Sequence, residues 1–134
     1  VDTCILIDVF QGAGVKAVPA AEALSQAHRE GSLIICELVY AELAAFAEDR
    51  EVLDRLLAEL GIEVVELGRE AAFAAGLMFA RYRRSGGPRR AIVADFIIAA
   101  HAQSHAHRLL TRERGFAREW FGELEVWEPG SGAD

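Results

Sequence analysis

The sequence predicts a three-layer α/β/α sandwich with a mainly parallel central sheet, and three observations predict it. Short apolar runs alternate with amphipathic helical segments along all 134 residues. Parallel strands need helical crossovers, and such sheets are covered on both faces. An apolar share of 52% with only 3 prolines gives enough burial to offset chain entropy, which excludes disorder and collagen-like structure. The length suits one domain with its own core, so residues 1–134 read as a single domain.

The elements follow in order. VDTCILIDVFQG reads as the end of a strand, a Thr3 cap and a short helix, because Ile5, Leu6, Val9 and Phe10 recur at helical spacing before Gly12. The chain begins at Val1 without a methionine and runs straight into this apolar stretch, so a residue or two of a first strand is expected to be missing. A second helix is expected from Pro19 to Arg29, with Gly31 as its stop. Leu33 to Cys36 is a short strand, followed by a helix over Glu37 to Ala47 that carries Glu42. Asp49 to Leu60 is an amphipathic helix ended by Gly61, and the alternation IEVVE predicts a strand over Ile62 to Glu66. A longer helix spans Arg69 to Arg84 and must break at Gly86, Gly87 and Pro88. Ala94 and Asp95 open an apolar helix to Gln103. Arg108 to Leu110 is a strand, TRERG a turn, Phe116 to Trp120 a small helix, and Leu124 to Trp127 a last strand. The tail from Pro129 is expected to be loose.

Composition narrows the function classes. Acids outnumber bases 21 to 14, a net charge of −7, which points away from generic nucleic-acid binding. Charge is nevertheless uneven: Arg81, Arg83, Arg84, Arg89 and Arg90 lie together with no acid between them, in a chain whose one lysine is Lys16. Such a strip suits phosphate contact, against the plainer reading of a solvated helix end where arginine favours the dipole. Cys4 and Cys36 are too few for a disulfide framework and are expected as small packed residues in a reduced, cytoplasmic setting. No uncharged apolar stretch approaches the ~18 residues of a membrane span. The face of Phe73, Leu77 and Ala80 reads as core or dimer surface.

In an open parallel sheet, ligands bind beyond the carboxyl ends of the strands. The residues there are acids: Asp2 after the first strand, Glu42 on the helix after the second, Asp95 at a helix start and Glu113 after the fourth strand. Converging carboxylates repel one another unless a cation neutralises them, and hard divalent ions with oxygen ligands, Mg²⁺ or Mn²⁺, match that set. The alternative is four separate surface acids. His101 and His105 are spaced like a zinc pair, but HAQSH lacks the adjacent Glu of an HExxH helix. Polar residues at a helix end are the plainer reading. A receiver-type signalling module also gathers acids at this edge, yet it should carry a lysine near the last strands. The missing GK[ST] likewise removes a phosphate-binding loop of the Walker type.

Four segments, DTCILIDVF, ELVYAEL, ADFIIAAHA and LLTRERGF, together resemble the ordered signature blocks of PIN-domain ribonucleases, specifically VapC-type toxins of toxin–antitoxin pairs. The blocks run through nearly the whole chain at about the family's spacing. The resemblance implies a metal-dependent endoribonuclease with Asp2, Glu42, Asp95 and Glu113 as the metal-holding and catalytic quartet. It also implies Thr111 as a supporting polar neighbour, RNA as substrate, an antitoxin that blocks the site, and a homodimer. One departure is that the family usually has Asp where this chain has Glu113. The extra methylene moves the carboxylate by about 1.5 Å, comparable to the tolerance of octahedral coordination. Asp8 is a possible substitute ligand, or simply an acid near a helix end facing solvent or a neighbouring chain. Glu113 also keeps open a degenerate PIN-like domain that binds RNA or a partner without cleaving.

Overall fold

A computed structural model describes residues 1–12, 14–86, 92–112 and 114–130, without the side chains of residues 114–116. Strand and helix alternate as expected. Helix α1 is Thr3–Gln11, α2 Ala17–Glu30, β1 Leu33–Ile35, α3 Glu37–Ala44 and α4 Arg50–Glu59. Then come β2 Ile62–Val64, α5 Arg69–Arg84, α6 Val93–His105, β3 Arg108–Leu110, α7 Arg114–Trp120 and β4 Glu125–Trp127.

The pairings are parallel. Leu33, Ile34 and Ile35 of β1 stand opposite Ile62, Glu63 and Val64 of β2, and β3 pairs with β4 in the same sense. Among the described residues these are two separate pairs rather than one sheet. Residues 1 and 2 link them: the Val1 amino group donates to the Ile34 carbonyl at 2.9 Å, and the Asp2 N–H to the Leu110 carbonyl at 2.9 Å. Two residues are too few for a continuous ladder. A cavity of about 160 Å³ is lined in part by Ile34 of β1, Leu109 of β3, and Ile98 and His101 of α6.

Burial explains why the helices sit where they do. Ile5 and Leu6 of α1, Val39 and Leu43 of α3, and Phe96, Ala99 and Ala100 of α6 form one buried cluster with both strand pairs. Phe96 is fully buried, with Phe79 and Tyr82 of α5 at centroid distances of 5.3 and 5.4 Å and Phe121 at 6.1 Å. Edge-to-face and tilted contacts of this kind add to the area buried, and they fix the first turn of α6 against α5. The turn from α4 into β2 requires Gly61: its φ is +70°, and a Cβ there would lie 2.6 Å from His28 Cε1.

Three expectations change. The cap of α1 is Asp2, and Thr3 is the first helical residue; Asp2 makes no side-chain cap bond because its carboxylate is engaged elsewhere. Phe73 and Leu77 are 72% and 40% exposed, so of the two readings of their face, core and dimer surface, core falls. Helix α3 ends at Ala44 rather than Ala47.

Candidate carboxylate site at the ends of the strands

Two strands, β1 and β3, lead directly into the candidate residues. Asp2 is tied to the last residue of β3, Thr111 follows that strand directly, and α3 starts two residues after β1. Helix α6 precedes β3 and packs against it, and Asp95 lies in its first turn.

Two hydroxyl–carboxylate bonds organise this end. Thr111 Oγ1 donates to Asp2 Oδ2 at 2.6 Å across 109 residues of chain, and Thr3 Oγ1 donates to Glu42 Oε1 at 2.7 Å. Both threonines are buried, Thr111 at 1% and Thr3 at 6% exposure, while Asp2 and Glu42 are half-buried. The threonines are therefore fixed donors, and the carboxylates keep acceptor capacity, since an ionised carboxylate offers about four lone-pair sites. Asp2 and Thr3 are neighbours in sequence, so the two hydrogen bonds start from adjacent residues at the beginning of α1.

Asp95 is held differently. Its backbone N–H donates to the Ile92 carbonyl at 3.0 Å, and its Oδ2 accepts from the Ile92 N–H at 2.9 Å, a reciprocal closure of the α6 start. This satisfies an orphan donor of the helix and points the carboxylate back along the first turn. Glu113 lies outside the described residues.

The donor set is all oxygen, which fits a hard divalent cation rather than zinc. Among the described residues no three His, Cys, Asp or Glu side chains gather closely enough to hold a metal ion.

Residues around this pair were less legible in the sequence. Thr3 reads there as a cap, and only the fold shows that its hydroxyl serves Glu42. Asp8 is neither a free ligand nor solvent-facing: its Oδ2 meets Arg112 Nε at 3.0 Å, and its side chain is 12% exposed. Cys4, half-buried on the same helix, has its thiol pKa pushed up, first by burial and then by the Asp2 charge. The Arg112 backbone N–H and the Arg112 charge oppose that rise.

The histidine pair belongs to another structure. His101 Nε2 lies 2.9 Å from the Val65 carbonyl and His105 Nε2 3.1 Å from the Leu67 carbonyl. Carbonyls only accept, so both Nε2 atoms carry protons and neither can ligate through that nitrogen. Glu37 Oε1 accepts from the Leu67 N–H at 2.9 Å, so α3 and α6 together clamp the segment after β2. His101 is 4% exposed, a buried staple rather than a polar helix end.

Of the arginine strip, Arg81, Arg83 and Arg84 lie exposed on the last turn of α5. The Arg83 guanidinium sits over the Phe79 ring at 5.8 Å. Arg89 and Arg90 lie outside the described residues.

A parallel α/β domain with oxygen donors at the carboxyl ends of its strands is a class suited to hard cations and phosphate esters. The chain belongs to the PIN domain family, whose model matches residues 1–119. PIN domains are nucleases that generally use divalent metal ions. No curated protein matches the chain. Among solved structures, it is similar to VapBC2 from Rickettsia felis bound to a DNA fragment from their promoter. That match has 19% identity and a TM-score of 0.70, covering 95% of each chain. VapBC-1 from nontypeable Haemophilus influenzae is similar at 23% identity and TM-score 0.68, covering 95% of this chain and 94% of that one. DNA-bound VapBC from Salmonella typhimurium follows at 21% and 0.64, with the same coverage. These likenesses establish the PIN fold. Among the described residues no helix is long and apolar enough to cross a membrane.

Proposed function

We propose that the chain is a metal-dependent endoribonuclease, the VapC-type toxin of a type II toxin–antitoxin pair, acting on RNA in the cytoplasm. The observation that carries this reading is the pair of buried threonine hydroxyls, each set on a carboxylate at the carboxyl end of the strands. Asp2, Glu42, Asp95 and Glu113 would hold Mg²⁺ or Mn²⁺. When bound, such an ion lowers the pKa of water and stabilises charge on a phosphate.

The chain's own residues do the positioning. Thr111 and Thr3 fix the carboxylates of Asp2 and Glu42, which limits the rotamers each must lose on binding a cation. Asp95 is placed by its bond to the Ile92 N–H. Arg81, Arg83 and Arg84, continuing in sequence to Arg89 and Arg90, supply cations for the RNA backbone on an otherwise acidic protein. An antitoxin as partner is supported by the three similar structures, all of VapBC assemblies. A homodimer is supported by exposed Phe73 and Leu77, four residues apart on α5.

RNA cleavage by antitoxin-free protein, with and without Mn²⁺, tests the reading. Cleavage that needs the ion and disappears in Asp2→Asn is the expected result. Binding of RNA without ion-dependent cleavage would favour the degenerate, non-cleaving reading that Glu113 keeps open.

A further inference from the structure

We propose that the Asp8–Arg112 ion pair is a positioning device for the carboxylate site, locking the segment after β3 onto α1 so that the Thr111 hydroxyl stays on Asp2. The inference deepens the nuclease reading above and rests on it.

Thr111 and Arg112 are consecutive, and both are anchored on α1. Thr111 reaches Asp2 at the helix cap, and Arg112 reaches Asp8 six residues further along. The cap and the second turn of α1 therefore hold two successive residues of the segment after β3.

The pair is more than a surface contact. Asp8 Oδ2 and Arg112 Nε are both buried and neither has a hydrogen-bond partner among the described residues; their 3.0 Å ion pair joins a side chain 12% exposed, Asp8, to one 32% exposed, Arg112. Removing Arg112 leaves the mostly buried Asp8 carboxylate without its partner, and removing Asp8 releases the Arg112 side chain to solvent; either change ends the tie that holds the backbone at residue 112 to α1. Here the backbone that would move carries Thr111. A hydroxyl bond of 2.6 Å tolerates little displacement. Loss of the pair should thus be felt at Asp2 without either residue touching a ligand.

The test uses Asp8→Asn, Arg112→Met, the double variant and the conservative Arg112→Lys, with Asp2→Asn as control. Two quantities are read: the Mn²⁺ concentration giving half of the metal-induced rise in melting temperature, and the Thr111 χ1 rotamer distribution from three-bond couplings in metal-free protein. A purely structural pair would lower the metal-free melting temperature and leave both quantities unchanged. The positioning role predicts a half-effect concentration raised about tenfold, the lower end for loss of a residue supporting a metal ligand. The double variant should be no worse than either single one, as for coupled residues. Arg112→Lys should recover part of the effect. Thr111 should hold one rotamer in the parent and average between rotamers in Arg112→Met. A single Thr111 rotamer in both, or an unshifted Mn²⁺ midpoint, overturns the proposal. A parent that shows no metal effect, or Asp2→Asn that responds like the parent, overturns the nuclease reading instead, and the rotamer measurement still decides the role of the pair.

Discussion

Two regions of this molecule offer metal-ligand residue types, and they use them in opposite ways. At the carboxyl ends of the strands, Asp2 and Glu42 accept hydrogen bonds from buried threonines and retain acceptor capacity. On α6, His101 and His105 donate their Nε2–H to the carbonyls of Val65 and Leu67, so that nitrogen of each ring is committed to backbone. The first region is a set of oriented acceptors, the second a pair of staples. Residue type and spacing do not separate the two; the partner of each polar atom does.

The largest effect expected from breaking this contrast is at Asp2. Asp2→Asn keeps the shape and the Thr111 contact but removes a charge, and RNA cleavage should fall more than ~100-fold, beyond the range for loss of a supporting residue. Folding should be intact by circular dichroism, since the change relieves repulsion among like charges. Residual cleavage near the parent rate would remove Asp2 from the site.

Thr111→Val comes next. It preserves volume while deleting the hydroxyl, and cleavage or Mn²⁺ affinity should drop roughly 10- to 100-fold, as for other residues that orient a ligand. The matching change on the other arm, Thr3→Val, should act on Glu42 in the same direction. If both variants behave as the parent, the hydroxyls are only filling space.

The histidine staple should respond to pH instead. Burial holds the His101 pKa below its ordinary value, with the Val65 carbonyl pulling the other way and His105 adding to the fall. The unfolded chain therefore takes up the proton first. Stability from this group is present above about pH 6.5 and is lost as the pH falls from there to the folded pKa of His101. His101→Gln, which can still donate to Val65, should flatten that acid limb in a series of melting curves. An unchanged limb would place the acid sensitivity elsewhere.

The arginine strip gives the smallest effect. Arg81→Ala with Arg84→Ala should weaken RNA binding and reduce the slope of log K against log salt by about 0.7 for each phosphate no longer neutralised, the value for single strands. A slope equal to the parent's would return the last turn of α5 to a solvated helix end.

How much of this was legible in the sequence follows from the physics of each part. The alternation of elements was, because periods of two and of 3.6 are written in the positions of Ile5, Leu6, Leu53, Leu57, Ile62 and the residues between. Asp2, Glu42 and Asp95 could be nominated because strand ends in a parallel sheet are the rule for sites. The Thr3–Glu42 and Asp8–Arg112 contacts span 39 and 104 residues, and no local pattern encodes such distant pairs. The face of Phe73 and Leu77 had the period of a core helix, but α5 turns Ala71, Ala75 and Tyr82 inward instead. The single sheet expected appears as two pairs because residues 1 and 2 supply one backbone bond to each side.

Calorimetric titration with Mn²⁺ of the parent, Asp2→Asn and His101→Gln tests the division between the two regions most directly. Binding is expected in the parent, weakened more than tenfold in Asp2→Asn and unchanged in His101→Gln. The parent should also gain about 1.4 kcal/mol of stability at a free ion concentration ten times Kd. Binding lost in His101→Gln and kept in Asp2→Asn would contradict this division, placing the metal on α6 and leaving the threonine-held carboxylates without that role.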